Sequence, residues 1–529
     1  MFLFLPQIAQ ASDYSYDWTH TMGGTGTEIS SDIAVDSSNN IYLTGYFQNT
    51  VDFDPTAGVD NKTSNGATDI FLTKINANGS YGWTYTMGGT AEDKTTNIEI
   101  DSLNNIYLSG NFRDTVDFDP TGGVNNKTSN GYYDIFLTKI NSNTTYGWTY
   151  TMGAGSDDYG KDLNIDSLNN IYLTGSFRET VDFDPTVGVD NKTTSGGLDI
   201  FLTKINSNAT YGWTYAMGEG LGEEGSAIGI DSLNNIYLSG NFNGTLDFNP
   251  TGGVDNKTSN GLYDIFLTKI NSDASYGWTY TMGGTADDFN ASIAVDSSNN
   301  IYLTGYFQNT VDFDPTAGVD NKTSNGSYDI FLTKINANTS YGWTYTMGGT
   351  GTDIGVSIIT DSFNNIYLTG YFHDTVDFDP TAGVDNKTIN GNNNIFNCDI
   401  FLTKINANAS YGWTYTMGGT GTDVGESIVT DSSDNIYLTG CFQETVDLNP
   451  TSGVDNRTSN GGYDIFLSKF SVYVAPQEPL VAPQEPAAAI QEVPQTLPTT
   501  GSSNNLLFIF ILTFMFTTPF VYFLDRIKK

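Results

Sequence analysis

The amino-acid sequence predicts an all-β protein, a seven-bladed β-propeller made of four-stranded antiparallel blades. Three observations predict this fold class. One repeat runs through most of the 529 residues, each repeat contains four strand-like segments, and incomplete repeats at the two ends of the array complement each other. The repeat lacks the spacing of apolar residues that is typical of amphipathic helices.

Seven tryptophans mark the repeat. Consecutive tryptophans lie 65 residues apart, and only the last interval, of 70 residues, is longer. The difference arises because Asn392–Cys398 stands where the matching repeat has Ser327 and Tyr328. The tryptophans are Trp18, Trp83, Trp148, Trp213, Trp278, Trp343 and Trp413. We therefore expect one closed array over residues 12–470 rather than several separate domains.

Each repeat contains two predicted hairpins. In the fifth unit, Ile293–Asp296 and Ile301–Phe307 flank an Asn-containing turn, and Asp329–Lys334 and Tyr341–Met347 flank another. Apolar residues occupy both faces of these strands, so both faces must be covered. Radial packing of blade against blade covers them, which favours a propeller over an open sandwich or a β-solenoid.

The ends of the array predict how the ring closes. The motif Asp-Ile-Phe-Leu-(Thr/Ser)-Lys occurs last at Asp464–Lys469, where no tryptophan strand follows, and the first tryptophan strand, Tyr16–Gly23, has no such motif before it. We expect Tyr16–Gly23 to be the outer strand of the blade that Ser427–Phe470 forms. This pairing leaves no open sheet edge in the ring.

The recurring motifs point to a known repeat family. Each unit carries G-x-F, V-D-F-D-P or a close variant, D-I-F-L-x-K and W-x-x-x-x-G. Together they resemble the bacterial SBBP (seven-bladed β-propeller) repeat family over about 455 residues. The resemblance implies a propeller fold and a secreted setting, but it implies no defined activity.

Composition excludes several function classes. Lys and Arg total 21 against 60 Asp and Glu, and the net charge of −39 would repel nucleic acid and anionic lipid heads. The two histidines, His20 and His373, stand at unrelated places, and no catalytic constellation recurs. We therefore predict that the protein is not an enzyme and requires no cofactor.

The two ends of the chain predict where the protein is located. Residues 1–11 resemble the remnant of a secretion signal with an A-x-A pattern at Ala9–Ala11, and a disordered apolar N-terminus is the alternative. Residues 471–496 form a Pro-rich spacer, residues 506–524 an apolar transmembrane segment and residues 525–529 a basic cytoplasmic tail.

Between the spacer and the apolar segment stands an L-P-x-T-G motif: Leu497, Pro498, Thr499, Thr500 and Gly501. This order resembles the cell-wall sorting signal of sortase substrates. The resemblance implies that a sortase attacks the Thr500 carbonyl, releases Gly501 onward and passes the chain to an amine of the envelope. The expected location is extracellular and anchored to the cell wall, after transient membrane anchoring; a plain single-span anchor is the alternative.

Acidic loops follow the second strand of each repeat, on the face that also carries the loops after the fourth strand. Carboxylates at relative positions 1, 3 and 9 predict candidate Ca²⁺ sites, because hard cations prefer several oxygens from one compact loop. The candidates are Asp52, Asp54, Asp60, Asp182, Asp184, Asp190, Asp312, Asp314, Asp320, Asp377, Asp379 and Asp385. Pro55, Thr56 and Gly58 depart from calcium-loop patterns, so solvated carboxylates beside a turn are the alternative.

Two further features bear on function. Cys398 and Cys441 are predicted at the same rim of adjacent blades, where a disulfide is possible. The repeats differ most after the fourth strand, as Gly218–Gly225 and Gly283–Asn290 show, whereas Ile33–Gly66 and Ile293–Gly326 are identical. Variable loops on a rigid scaffold are typical of binding sites, although tolerated drift also explains them.

These features predict a wall-anchored surface propeller that contacts an unknown protein or glycan through acidic loops, as an adhesion or interaction module. A structural surface-layer component without a specific ligand is one alternative. A secreted enzyme acting on polysaccharide or peptide is the other.

Overall fold

The computed structural model describes residues 14–219, 222–391 and 397–472, and every regular element within them is a β-strand. Residues 1–11, the sorting motif at 497–501, the apolar segment at 506–524 and the basic tail at 525–529 lie outside the described residues, as does the spacer beyond Val472. Predictions about those segments therefore stay predictions. The described residues contain no helix long and apolar enough to cross a membrane.

Seven blades of four antiparallel strands follow one another along the chain, which confirms the predicted seven-bladed propeller. The first, innermost strands are Ile29–Val35, Lys94–Ile100, Tyr159–Ile165, Glu224–Ile230, Asp288–Val295, Ile354–Thr360 and Val424–Thr430. The second strands are Ile41–Phe47, Ile106–Asp117, Ile171–Phe177, Ile236–Phe242, Ile301–Phe307, Ile366–Phe372 and Ile436–Phe442. The third strands are Asp69–Ile75, Asn126–Ile140, Asp199–Ile205, Asp264–Ile270, Asp329–Ile335, Asp399–Ile405 and Asp464–Val472. The outer strands are Tyr81–Met87, Tyr146–Met152, Tyr211–Met217, Tyr276–Met282, Tyr341–Met347, Tyr411–Gly419 and, for blade seven, Tyr14–Gly24.

The ring closes as the sequence predicts. Tyr14–Gly24 pairs antiparallel with Asp464–Val472, and the innermost strands contact one another in an unbroken cycle from blade one to blade seven and back. The pairing starts two residues earlier than expected, with Tyr14 opposite Val472. Tyr14 is 3% exposed and its ring packs edge-on against Tyr367 and Trp413, so burial of this side chain extends the strand.

The polar stretch between the second and third strands is not the plain loop that we expected. In blade one it forms a short hairpin, Thr50–Asp52 with Asn61–Thr63, and the same hairpin recurs in the other blades. The hairpin pairs with the end of the preceding blade's outer strand, for example Asp52 with Gly23. It therefore joins neighbouring blades. The remaining separate hairpins are Thr180–Asp182 with Asn191–Thr193, Thr245–Asp247 with Asn256–Thr258, Thr310–Asp312 with Asn321–Thr323, Thr375–Asp377 with Asn386–Thr388, and Thr445–Asp447 with Asn456–Thr458.

The core lies between blades, in seven apolar clusters of similar composition. In the cluster between blades four and five, Phe307, Phe313 and Phe331 are fully buried and their rings lie 5.1–5.2 Å apart, Phe313 against each of the other two. Phe313 comes from the hairpin stretch, which explains why V-D-F-D-P recurs. Burial of both blade faces confirms the radial packing that the strand composition predicts.

The lower face, which carries the turns between first and second strands, is linked all the way around the ring. In blade one the Asp36 carboxylate accepts hydrogen bonds from the Ser38 and Asn40 amides, and Asn39 adopts a φ of 62°. The Asn104 side chain of the next blade accepts a bond from the Ser37 amide at 3.2 Å. Equivalent links join every neighbouring pair of turns, including blade seven to blade one.

Candidate functional site

The acidic hairpins carry the candidate calcium ligands on the predicted face, which we call the upper face: the face of the second-to-third and outer-to-first strand connections. Asp52 Oδ1 accepts from the amides of Asp54 and Asp60, at 3.1 and 2.8 Å. Asp54 Oδ1 accepts from the Thr56 amide and hydroxyl, and Asp60 Oδ1 lies 2.9 Å from Lys62 Nζ. The loop thus uses these carboxylates to hold its own turn.

The other candidate calcium loops have the same geometry. Each first aspartate accepts from two loop amides, each second from a threonine, and each third carboxylate pairs with a lysine, at Asp182, Asp184, Asp190, Asp312, Asp314, Asp320, Asp377, Asp379 and Asp385. The structure brings the three carboxylates of a loop into one turn. Among the described residues no group of three or more His, Cys, Asp or Glu side chains is arranged to hold a metal ion. Calcium binding stays a prediction.

A second set of carboxylates on the upper face was not predicted. Each boundary between neighbouring blades holds two acidic side chains that are at most 3% exposed. The first comes from the start of a third strand: Asp69, Asp134, Asp199, Asp264, Asp329, Asp399 and Asp464. The second precedes the next innermost strand: Asp93, Asp158, Glu223, Asp288, Asp353, Asp423 and, for the closing boundary, Glu28. We call these the carboxylate pairs.

Each carboxylate pair ties three chain segments together. Asp93 accepts from the Gly89 amide at 2.7 Å and the Arg113 amide at 3.1 Å, and Asp69 accepts from the Asn65 amide at 2.9 Å. Asp69 also lies against Gly88, where an added Cβ would come within 2.2 Å of its carboxyl carbon. The final glycine of the W-x-x-x-x-G motif therefore leaves room for a carboxylate.

Burial raises the pKa of Glu28 and of the aspartates in these pairs, and the negative charge of the partner further raises the pKa of one acid in each pair. The pKa of Asp93 rises to about 7 through burial and, in part, the charge of Asp69, and the pKa of Asp423 rises to about 8 through burial and the charge of Asp399. Burial also raises the pKa of Asp69 to about 6. Such groups take up protons near neutral pH in the folded protein.

The innermost strands line a channel along the axis, with a cavity of about 430 Å³. The charged side chains of the lining come from blades seven and one to three, which also contribute apolar residues such as Ile33, Ile98 and Leu163. The charged and amide residues are Glu426, Asp32, Asn97, Glu99, Lys161, Asp162 and Asn164. The wall from blades four to six carries Ala227, Ala291, Ser292, Val356, Ile358 and Ile359 instead. Burial raises the pKa of Glu99 to about 8, helped by the charges of Asp32 and Asp162. The channel is thus two-sided although the blades repeat.

A larger cavity, of about 650 Å³, opens on the upper face between blades three, four and five. We call it the upper pocket. Three rings form one wall: Phe289 lies 5.6 Å from Tyr263 and 5.2 Å from Tyr306, between ring centroids, and all three rings are half-buried. Lys161 and Arg178 come from blade three on the other side. Lys161, Ser226 and Ala291 also line the channel, so the pocket lies at the channel mouth.

The charges in the upper pocket are balanced. Lys161 Nζ lies 3.2 Å from Glu224 Oε2, and Glu223 also lines the cavity. The structure shows no ion pair or hydrogen bond for the exposed Arg178 guanidinium within the described residues. The pocket therefore offers rings, hydroxyls and a guanidinium beside the two carboxylates.

The upper pocket combines residues that repeat only in part. Tyrosines also occupy the positions of Tyr263 and Tyr306 in some other blades. At the position of Phe289, the other blades have Ile29, Lys94, Tyr159, Glu224, Ile354 and Val424, of which only Tyr159 is aromatic. The variable segments Gly218–Gly225 and Gly283–Asn290 both contribute lining residues. That variability was the available sequence signal, but the motifs gave no sign that two such loops share a cavity with Arg178.

Cys398 and Cys441 lie at the same rim of blades six and seven, as expected. Both are buried free thiols, 2% exposed, and Cys398 Sγ donates to the Asp423 carbonyl at 3.5 Å. Burial raises the pKa of the Cys398 thiol to about 12. A bond between the two sulfurs stays a prediction.

Comparisons with known proteins show similarity only at low sequence identity. No protein-family model matches the chain. It is 23% identical, over 82% of its length, to 36% of the uncharacterized WD repeat-containing protein L264 of Acanthamoeba polyphaga mimivirus. It is 26% identical, over 57% of its length, to 32% of the regulatory protein FlaEY of Caulobacter vibrioides. The chain thus spans about a third of the length of these relatives.

Among solved structures, the WD40 β-propeller domain of Doa1 matches 87% of this chain and 97% of that chain, at 11% identity and a TM-score of 0.39. A structural likeness with this TM-score supports no inference about function. The strand pairing of the chain itself establishes the seven-bladed propeller, and the repeats align in sequence with those of a WD repeat-containing protein.

Proposed function

We propose that this propeller is an interaction module that binds a protein or glycan partner at the upper pocket. The observation that carries the proposal is the wall of Tyr263, Phe289 and Tyr306, three half-buried rings in a cavity of about 650 Å³, because only at this boundary are all three positions aromatic. Pockets with aromatic walls and a few convergent polar groups are the usual form of ligand sites. The acidic hairpins surround this pocket on the same face and would contact a larger partner.

Attachment to the cell wall through the Leu497–Gly501 motif remains part of the proposal, together with an extracellular location, a sortase that acts on the chain and an envelope amine as acceptor. The order of the motif, the apolar segment at 506–524 and the basic tail at 525–529 supports it.

Membership of the SBBP repeat family also stays a proposal, carried by the recurring motifs alone. A structural surface-layer role remains the second candidate, because the carboxylate pairs and lower-face links recur in every blade without any need for a ligand. The two candidates differ at one point: only an interaction module loses a measurable property when the upper pocket changes.

The test measures binding of the full-length protein to an array of purified extracellular proteins, peptides, neutral glycans and acidic glycans. Phe289→Ala removes the central ring of the pocket. Ile354→Ala is the matched control, since Ile354 occupies the same strand position in the next blade, is half-buried and lies outside the pocket. Saturable binding to any array member that Phe289→Ala abolishes and Ile354→Ala retains supports the proposal. Binding that both variants retain, or no binding, overturns it.

Wall attachment has its own test. Replacing Thr500 and Gly501 with alanine changes the two residues that flank the bond a sortase would cleave. We expect the variant to appear in the membrane fraction of the cells that express it rather than covalently attached to peptidoglycan. A variant that stays covalently attached to the wall would contradict the sorting proposal and leave the pocket proposal untouched.

A further inference from the structure

We infer that the upper pocket binds a neutral sugar ring, presented by a glycan, with one face of the pyranose against Phe289. This inference rests on the proposed function and names the ligand class of the same pocket. It follows from three properties of the lining: flat apolar surface, hydroxyl and guanidinium donors around that surface, and the absence of net charge.

The apolar surface is a row of aromatic rings. Phe289 stands between Tyr263 and Tyr306, with centroid distances of 5.6 and 5.2 Å, and Tyr328 extends the row 5.2 Å beyond Tyr306. Phe289 is only partly buried, whereas the core phenylalanines of the same blade are fully buried. The C–H face of a pyranose is apolar, and it packs well against aromatic rings of this kind.

Polar groups surround the rings. The hydroxyls of Tyr263 and Tyr306 make no hydrogen bond to other described residues, and neither does the Arg178 guanidinium opposite. Together they offer donors and acceptors that a sugar hydroxyl can satisfy, and the guanidinium alone has five N–H donors. An aliphatic or aromatic side chain in the same place would leave these groups without partners.

Charge separates neutral from acidic sugars. Lys161 and Arg178 are offset in the lining by Glu223 and Glu224, and the whole chain carries a net charge of −39. A carboxylated or sulfated ligand would approach against that field and find a pocket with no excess positive charge. A neutral sugar meets no such opposition. The charge balance therefore favours hexoses and N-acetylhexosamines over uronates.

The experiment uses full-length protein and polymer-linked glucose, galactose, mannose and N-acetylglucosamine, with polymer-linked glucuronate and phenylalanine-containing peptides on the same array. We expect saturable binding of at least one neutral sugar, weakened at least about tenfold by Phe289→Ala, as for a central aromatic contact. Phe289→Tyr keeps the ring and should retain binding, and Ile354→Ala should also retain it. Circular dichroism confirms that each variant is folded.

The outcomes separate this inference from the function on which it rests. Neutral-sugar binding that depends on Phe289 supports both. Binding of glucuronate, a peptide or a protein only, again lost in Phe289→Ala, overturns the sugar assignment while the interaction module stands. Neutral-sugar binding that survives Phe289→Ala in a folded variant overturns the placement in the upper pocket. No binding to any array member overturns both.

Discussion

Two regions of the upper face differ in how they use the repeat. The carboxylate pairs recur at all seven blade boundaries, buried to at most 3% exposure, and include the closing pair of Glu28 and Asp464. The upper pocket's row of three rings occurs at one boundary: Tyr133 and Tyr159 form the corresponding ring pair two blades earlier, at 5.9 Å, but Ser176 stands where Tyr306 completes the row. A feature present at every boundary stabilises the closed ring. A feature present once is available for a ligand, because the ring closes without it.

The channel shows the same contrast within single strands. Ile98 and Ile358 occupy equivalent positions and are buried to similar extents, 2% and 3% exposed. Their neighbours Glu99 and Ile359 also occupy equivalent positions and line the same channel, but they are less buried, and one is an acid while the other is aliphatic. Positions buried against a neighbouring blade are therefore constrained by packing, whereas the more exposed positions that face the axis are not.

The largest expected effect is the pH dependence of the free energy of unfolding, which tests the carboxylate pairs of all seven boundaries together. The folded-state pKa of the acids in the carboxylate pairs is raised, to about 6 for Asp69 and about 8 for Asp423. The folded protein therefore binds protons more tightly than the unfolded chain between these values and about pH 4. Their stabilising contribution is present at low pH and is lost as pH rises through 6 to 8. We expect a higher free energy of unfolding at pH 5 than at pH 8, measured by chemical denaturation.

General charge repulsion would act in the same direction, since the chain carries −39 at neutral pH. Salt distinguishes the two causes, because about 0.5 M salt screens exposed charges and leaves buried ones largely unscreened. The difference between pH 5 and pH 8 should persist at that salt concentration. If it disappears, surface repulsion and not the carboxylate pairs determines the pH dependence.

A substitution in the core of blade five compares a repeated ring with the unique one. Phe331 is fully buried and packs against Phe313, so Phe331→Ala should lower the free energy of unfolding by about 4 kcal/mol. Phe289→Ala removes a partly buried ring at the edge of a cavity and should cost less than about 1.5 kcal/mol. Denaturant unfolding of both variants checks the difference. Equal losses would mean that Phe289 belongs to the structural core, and the pocket proposal would lose its main support.

Substituting the glycine that lies against a carboxylate pair should have a smaller effect on stability. A Cβ at Gly348 would lie 2.1 Å from the Asp329 carboxyl carbon, so Gly348→Ala must displace a buried acid and should cost about 2 kcal/mol. At Gly155 the nearest atom is a carboxylate oxygen of Glu179, the flexible end of an exposed side chain, at 3.0 Å. Gly155→Ala should therefore change stability little. A tolerated Gly348→Ala would show that the carboxylate moves without cost.

Much of the fold could be predicted because each repeated motif has a geometric cause. The strands Ile301–Phe307 and Tyr341–Met347 have the bounds that the sequence indicates, and Tyr14–Gly24 closes blade seven as the half-repeats predict. The hairpin after the second strand was missed because its short strands, such as Asn321–Thr323, are polar. They form where the Thr310 and Thr323 hydroxyls bond across the hairpin at 2.7 Å, which composition does not reveal.

The candidate site could be predicted only in part. The acidic loops were found, because carboxylates at fixed spacing are visible in one repeat. The upper pocket was not, because Arg178, Tyr263 and Phe289 belong to three blades and meet only when the ring is closed. Non-repeating residues at equivalent positions were the one available signal, and drift produces the same signal.

The smallest effect concerns a hydrogen bond at the outer rim that recurs in six blades. The Tyr280 hydroxyl donates at 2.7 Å to the Thr339 carbonyl of the next blade, and blade seven has a His20 ring nitrogen 2.8 Å from the Gly79 carbonyl instead. Tyr280→Phe removes one inter-blade bond and should cost about 1 kcal/mol, measured by denaturant unfolding. Tyr132→Phe is the control, because the Tyr132 ring is 57% exposed. Tyr280 does not line the upper pocket, so its loss should also leave array binding unchanged. Reduced binding in Tyr280→Phe would show that rim contacts shape the pocket, and the separation between repeated and unique regions would then fail.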